Sequence, residues 1–457
     1  MFLVSYIRTY YPNNVDAPII NFYKKGYSVS KHENIIMDER ICSRFAMVIG
    51  FLQELKEVWS RQHINWRTVV IRQVFKRFFD QMTAQYTNIY IRELGASAVE
   101  LGAVNSASGL GSAIISLPLG IIRDVYSVRK VYLFGVALLS LSPLLYALAY
   151  RWEFAVPAIL ISGLCMGLGS CVMYCDLSLP NEDRATGKAL CEGIGALPTL
   201  FAPATAAFLV TLFGGMDTDG IRPLFWLQFT AQVILLIFVY LKVSELERPK
   251  RDAKLANVLR DFGEVFRRGT ATKRWLLFLS LNLFTGTILS TFMYPFAHEV
   301  KGADQFIIGG ITTAMILTEA LFSTPLGRFA DKMGRKKMFY ILTPLFSLAN
   351  IVLVIAPSPN WLLLAGLLMG FRTVSMFAYG SMTPELVPRD CIGRWRGIIG
   401  FFTGLVSIPA PIIGGFIWEH LGPEWVFIII VAIDLVIRMP LLYTVPETLD
   451  RKRNAES

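Results

Sequence analysis

Charge is what this sequence lacks. Aspartate, glutamate, lysine and arginine make up 17% of its 457 residues, where a soluble domain carries about 25%. That is too little to clothe a water-soluble fold, while 54% hydrophobic residues exclude disorder and fibrous repeats. Neither a nucleotide-binding P-loop nor the spacing of a catalytic triad occurs, so ATP-driven transport and enzymatic chemistry have no support and no cofactor is expected. No signal peptide is read at the start, because Phe2-Leu3-Val4 is too short an apolar stretch. Cysteines number six, none in a loop of the basic-poor side, so no disulfide framework is expected. Three of them, Cys165, Cys171 and Cys175, share the fourth apolar run with Met166 and Met173. Soft-metal ligation is one reading of that cluster. With no histidine in the run, helix packing is the better one.

What the sequence has instead is long apolar runs. Crossing a hydrocarbon core of about 30 Å takes about 20 apolar helical residues. Twelve such runs occur, at 68–92, 97–122, 130–150, 153–176, 188–213, 222–243, 274–298, 303–328, 337–357, 360–383, 393–418 and 422–444. The fold class is therefore an all-α polytopic membrane protein of twelve transmembrane helices. The first run is the weakest, since it carries Arg72, Lys76, Arg77 and Asp80.

The net charge of +10 could point to nucleic acid, but the placement of the basic residues decides otherwise. Loops on one side, with the C-terminal tail, hold 26 of the 44. The opposite loops hold Arg92, Arg151, Arg222 and Lys301. This asymmetry is a topology signal that places both termini in the cytoplasm, with the chain in the plasma membrane. No nucleic-acid partner is needed; the partners are the bilayer and a small solute, with the chain acting as a monomer.

The twelve runs form two sets of six. Leu117-Pro118-Leu119-Gly120-Ile121-Ile122-Arg123-Asp124 recurs as Thr324-Pro325-Leu326-Gly327-Arg328-Phe329-Ala330-Asp331, an offset of 207 that also relates Gly95 to Gly302. Pro203 matches Pro409 at 206. Six spans is an even number, so both halves enter the membrane the same way and form parallel repeats, with a binding site expected near the midplane between them. The expected organisation is an extension at 1–46, an amphipathic pre-helix at 47–67, a first half at 68–243, an amphipathic linker at 244–273, a second half at 274–445 and a tail at 446–457. In the linker, Leu255, Val258, Leu259, Phe262, Val265 and Phe266 fall on one helical face.

The run from Gly327 through Asp331, Lys332, Gly334, Arg335 and Lys336 to Lys337 fits G-x-x-x-D-(R/K)-x-G-R-(R/K)-(R/K) at every defined position. With twelve spans and the duplication, the chain resembles the major facilitator superfamily of secondary transporters over residues 50–445. The first-half copy keeps Gly120, Asp124, Arg129 and Lys130 but lacks the central Gly-Arg. The resemblance implies that these loops latch the cytoplasmic ends of the halves. Asp124 would meet the eleventh helix near Arg394 and Arg396, and Asp331 the fifth near Arg184 and Lys188, a favourable place for a carboxylate. Gly120, Asp124, Arg129, Gly327, Asp331, Gly334, Arg335 and Lys336 are thus the expected cytoplasmic gate. Glu385-Leu386-Val387-Pro388 and Pro446-Glu447-Thr448 resemble motifs of the sugar-porter branch. The branch's paired glutamines in the seventh span are missing, and Asn282 is the nearest amide.

An ionised group at the bilayer centre costs about 2.5–3.5 kcal/mol on insertion scales, so each one asks for a reason. Asp80 lies well inside the first span with Gln81 and Gln85 beside it, a candidate for proton or cation binding. Its plain alternative is a local pair with Lys76 or Arg77. Glu319 in the eighth span has no basic residue within four positions. A carboxyl so placed suits a group that gains and loses a proton in each cycle, or else stays protonated and bonded to a neighbouring helix. Arg372 in the tenth span replaces Gly169 of the first half and cannot shed its charge. It needs a carboxylate such as Asp80 or Glu319, access to a lipid headgroup, or an anionic substrate. Asp434 and Arg438, four apart, are expected to neutralise each other. The function expected is proton-coupled secondary transport by alternating access, as sugar-type uptake or drug or cation export. A membrane sensor on the same fold, without transport, is the alternative.

Overall fold

The computed structural model describes residues 59–116, 126–165, 184–245 and 265–448 apart from 389–390, together with 168, 174–175, 178–179 and 263. The first span is a single helix, Ile64–Glu93, despite its charges. Span 2 is Ala98–Ser116 and span 3 Val128–Ala147. Span 4 opens with a 3-10 turn at Trp152–Phe154 and runs on as Ala155–Leu164. Span 5 is two pieces, Arg184–Thr199 and Ala202–Leu212, and span 6 is Thr218–Lys242. In the second half, span 7 is Thr272–Pro295 with a π-helical end at Phe296–Val300. Spans 8, 9 and 10 are Gln305–Met333, Arg335–Ile355 and Trp361–Glu385. Span 11 again is two pieces, Ile392–Ser407 and Pro409–His420. Span 12 passes from Pro423–Ala432 through a π-helical stretch, Ile433–Arg438, to Met439–Tyr443. Among the described residues nine helices are long and apolar enough to cross a membrane. With the shorter pieces they make the twelve-helix, two-half architecture that the sequence implies.

Local chemistry sets the boundaries. Asp217 and Asp304 cap spans 6 and 8 by accepting from Gly220 N and Ile307 N, each at 2.8 Å. Span 2 opens with a reciprocal capping box, in which Glu100 N donates to Ser97 Oγ and Ser97 N to Glu100 Oε2. The turns that join spans 1 to 2 and 7 to 8 need a left-handed residue and place Gly95 and Gly302 there, with φ of +95° and +68°. Spans 5 and 11 break just ahead of Pro203 and Pro409, which lack the N–H that a continuous helix requires.

Those two breaks decide how the halves meet. The second piece of span 11 packs on span 2, so closely that a Cβ at Gly102 would overlap the Pro411 carbonyl and one at Gly415 the Ala98 carbonyl. The second piece of span 5 packs on span 8, where a Cβ at Gly309 would lie 2.9 Å from the Pro203 carbonyl. All of these contacts lie toward the end opposite the basic loops. One core of buried side chains, including Tyr86, Phe225, Phe292 and Trp418, runs through both halves there. A second core, with Trp275, Phe278, Phe339, Tyr379 and Trp395, fills the basic end of the second half. Large apolar side chains such as Phe134, Phe208, Leu241 and Val436 point outward, as a lipid-facing surface allows.

The remaining terminal and linker expectations fall mostly outside the described residues, namely 1–58, 246–262, 264 and 449–457. Of the linker, Val265 is buried and Phe266 packs edge-on against Trp395 at 6.1 Å. Cys171 lies outside the described residues, while Cys165 and Cys175 are buried thiols.

Candidate functional site

Asp80 turns into the interior of its own half, not toward the second half. Its Oδ2 pairs with Lys76, one helical turn earlier. Its Oδ1 accepts from two amides of span 6, Gln228 Nε2 at 2.9 Å and Gln232 Nε2 at 3.2 Å. Thr83 donates to Gln228 Oε1 at 3.1 Å and so orients that amide. Around these groups lies a cavity of about 480 Å³ between spans 1, 3, 4 and 6. Thr87, Ser142, Ser162 and Gln73 add polar walls, and Tyr146 and Phe225 an apolar one. The local pair with Lys76, the plain alternative for Asp80, is thus present, and three donors from its own half draw the carboxylate inward. Gln85 is fully buried and donates to the Pro203 carbonyl at 3.4 Å, a packing contact with span 5. Gln81 is half-buried.

The second half has a polar interior of its own between spans 7, 9, 10 and 12. Arg372 Nη2 donates to the Asn282 carbonyl at 2.5 Å and Thr285 Oγ1 at 3.5 Å, and its guanidinium lies 4.5 Å above the Phe346 ring. Gly286 makes this possible, because a Cβ there would overlap Nη2. Arg438 Nη1 reaches Asp434 Oδ1 at 3.2 Å and Asn282 Oδ1 at 2.5 Å. Tyr379 donates to the same amide oxygen at 3.2 Å. The expected bridge from Arg372 to Asp80 or Glu319 is replaced by this network, because Asn282 and Thr285 on span 7 stand nearer.

Sequence reading missed Gln228 and Gln232, although the signal was present. They lie four residues apart and match Asp434 and Arg438 at the offset of 206. In each half, an i,i+4 polar pair on the last span ties it to the first.

Among the described residues, few charges pair between the halves. Arg92 at the end of span 1 makes a two-pronged pair with Glu299 at the end of span 7, Nε to Oε1 at 2.7 Å and Nη2 to Oε2 at 2.8 Å. These two residues are repeat mates at the offset of 207. Glu419 of span 11 accepts from Val99 N at 2.9 Å, in the first turn of span 2. Tyr86 donates to the Gln305 carbonyl at 3.1 Å, Asn88 to the Ser290 carbonyl at 3.0 Å and Gln305 to Thr211 at 2.8 Å. Glu319 is half-buried in span 8.

At the basic end, Gly120 and Asp124 lie outside the described residues. The second signature is less of a loop than expected. Span 8 runs to Met333, so Gly327 and Asp331 are helical and only Gly334, at φ +112°, makes the turn. Asp331 stands largely in solvent with its carboxylate 3.9 Å from Arg335 Nη2, and Arg335 pairs with Glu385. Glu447 of the tail caps span 9, accepting from Arg335 N at 3.3 Å and Lys336 N at 3.0 Å. Lys336 Nζ donates to the Tyr443 and Val445 carbonyls, both at 2.8 Å. The first half repeats the device: Glu245 accepts from Ser127 and Arg129 N, and Arg129 donates to the Tyr240 carbonyl at 3.0 Å. These contacts stay within each half. The side chains of Arg184 and Lys188 lie outside the described residues.

The family model described as Major Facilitator Superfamily matches residues 74–311 and 276–457. Among curated relatives, the chain is 24% identical over 186 residues to "Multidrug resistance protein 3" of Bacillus subtilis (strain 168), covering 39% of this chain and 35% of that protein. It is 26% identical over 172 residues to "Putative multidrug resistance protein MdtD" of Escherichia fergusonii, covering 36% of each. The chain thus spans about a third of the length of these relatives. Among solved structures, the nucleoside transporter NupG superposes with a TM-score of 0.67 at 16% identity, over 84% of this chain and 100% of that one. A D-xylose-proton symporter superposes with a TM-score of 0.63 at 16% identity, over 84% and 98%. These likenesses establish the fold. The chain belongs to the Major Facilitator Superfamily, as a multi-pass membrane protein.

Proposed function

We propose that the protein is a secondary active transporter that works by alternating access and is coupled to protons through Glu319, with Asp80 as the second candidate group. The observation that carries this reading is the asymmetry of the interface between the halves. Opposite the basic loops the halves are joined by Arg92–Glu299, Glu419 on span 2 and backbone contacts at glycines. Toward the basic end, Gly327, Gly397 and Gly400 have no neighbour within reach among the described residues. A rocking transporter visits two states, each closed at one end, and this arrangement has the form of one of them. With the basic loops and both termini in the cytoplasm of a cell bounded by this membrane, the state is the inward-facing one.

Glu319 supplies the coupling. It is a half-buried carboxyl on span 8, which packs against span 5 of the other half, so a proton on Glu319 removes the cost of holding a charge there and biases the rocking. Lys76 and Asp80 offset each other within the first half, which leaves Glu319 as the group whose charge changes the balance. The names of similar proteins span multidrug, nucleoside and xylose transport, and the solute lies within that range of chemistry. The test is proton movement in proteoliposomes containing a trapped pH dye. Ethidium, uridine and D-xylose serve as probe solutes, after a screen identifies one that moves. Glu319→Gln should abolish solute-driven proton flux while solute exchange continues. Unchanged flux in both Glu319→Gln and Asp80→Asn overturns the coupling.

A further inference from the structure

The polar interior of the second half carries charges on spans 10 and 12 at positions that the first half fills with neutral residues. Gln228 and Gln232 of span 6 are uncharged where span 12 has Asp434 and Arg438, and Gly169 stands where span 10 has Arg372. The equivalent positions of the first half are neutral, so the architecture does not require the guanidinium of Arg372. Guanidinium groups keep their charge in proteins, so two arginines sharing one carboxylate leave an excess positive charge in the membrane interior. The other charged residues of spans 7, 9, 10 and 12 stand in first or last turns, where water reaches them. Arg372 Nη1, Arg438 Nε and Asp434 Oδ2 are buried without a partner, and buried polar atoms in that state ask for an explanation. Asp434 and Arg438 also lie in a π-helical stretch, Ile433–Arg438, a distortion that recurs at functional sites.

We propose that Arg372, with Arg438 beside it, binds a small singly charged anion, a carboxylate or a halide, in the interior of the second half. One negative charge brings the cluster to neutrality, whereas a dianion would overshoot it. Arg372 Nη1 and Arg438 Nε are the donors left over for the anion, and Asp434 is its competitor. The proposal rests on the transport reading for the route by which the anion arrives. Binding itself is measurable without flux.

The test uses the full chain in nanodiscs of uncharged lipid, with ionic strength held by sulfate. Thermal unfolding is followed while chloride or acetate replaces it. A saturable rise in midpoint with chloride identifies an inorganic occupant, and one with acetate alone identifies the carboxylate of a solute. Arg372→Gln should abolish the rise. Should that variant fail to fold, Gly286→Ala displaces the guanidinium without removing its charge and should weaken the apparent affinity by about tenfold. Asp434→Asn removes the competitor and should tighten binding by about tenfold, an effect that a purely structural role does not produce. No saturable shift with either anion, or an equal shift in Arg372→Gln, overturns the proposal. Anion binding without any proton-linked flux would leave this site standing and refute the coupling proposal alone.

Discussion

Arg92 and Glu299 show how a single contact can report on the whole cycle. Both side chains are partly exposed, so their attraction is screened and worth about 1 kcal/mol despite the two-pronged geometry. Arg92→Glu alone should loosen the end opposite the basic loops, and Arg92→Glu with Glu299→Arg should restore it. A double-mutant cycle on thermal stability should therefore give a coupling of about 1 kcal/mol. The pair was beyond sequence reading, although Arg92 and Glu299 are repeat mates. Each sits at a span end, where a charge needs no explanation, and only the packing of span 1 on span 7 brings them together. Asp80 teaches the reverse. Its type and depth marked it as polar-site chemistry, but the direction of its carboxylate depends on helix rotation, which was fixed by Gln228 and Gln232 some 150 residues away.

At the scale of elements, close backbone approach is the device that lets the halves seal. Gly102→Ala puts a methyl group against the Pro411 carbonyl and should cost about 1–3 kcal/mol of stability, read as a lowered unfolding midpoint. The same variant should make a cysteine placed at Ser106, buried between spans 2 and 11, more reactive to a water-soluble thiol reagent, because the two spans no longer close. At the opposite end, the tail is hooked on span 9 by Glu447, and Gly334 leaves no room for a side chain beside that carboxylate. Glu447→Gln should lower the midpoint by the worth of a charged cap, about 1 kcal/mol, and Glu245→Gln should do the same to the first half. The spans themselves were legible, because apolar length is a strong signal, and where both ends are described they came out within a few residues. The extension of span 8 through Asp331 to Met333 was not, since a signature rich in charge reads as a loop even where it is helical.

For the molecule as a whole, duplication is what sequence conveyed best. Pro203 and Pro409, Gly95 and Gly302, and the two signature copies fixed six spans against six, and the helices follow that order. What lay beyond reach was which end is closed, since this depends on contacts between halves rather than within a repeat. The direct test is a pair of distance measurements by pulsed electron paramagnetic resonance on the full chain in nanodiscs. Labels at Arg151 and Ser358 report on the closed end, and labels at Tyr126 and Lys332 on the basic end. All four residues stand in exposed or half-exposed loop and terminal-turn positions. Alternating access predicts that Arg92→Gln lengthens the first distance and shortens the second in the same sample. Two distances that stay fixed, or that lengthen together, would contradict it.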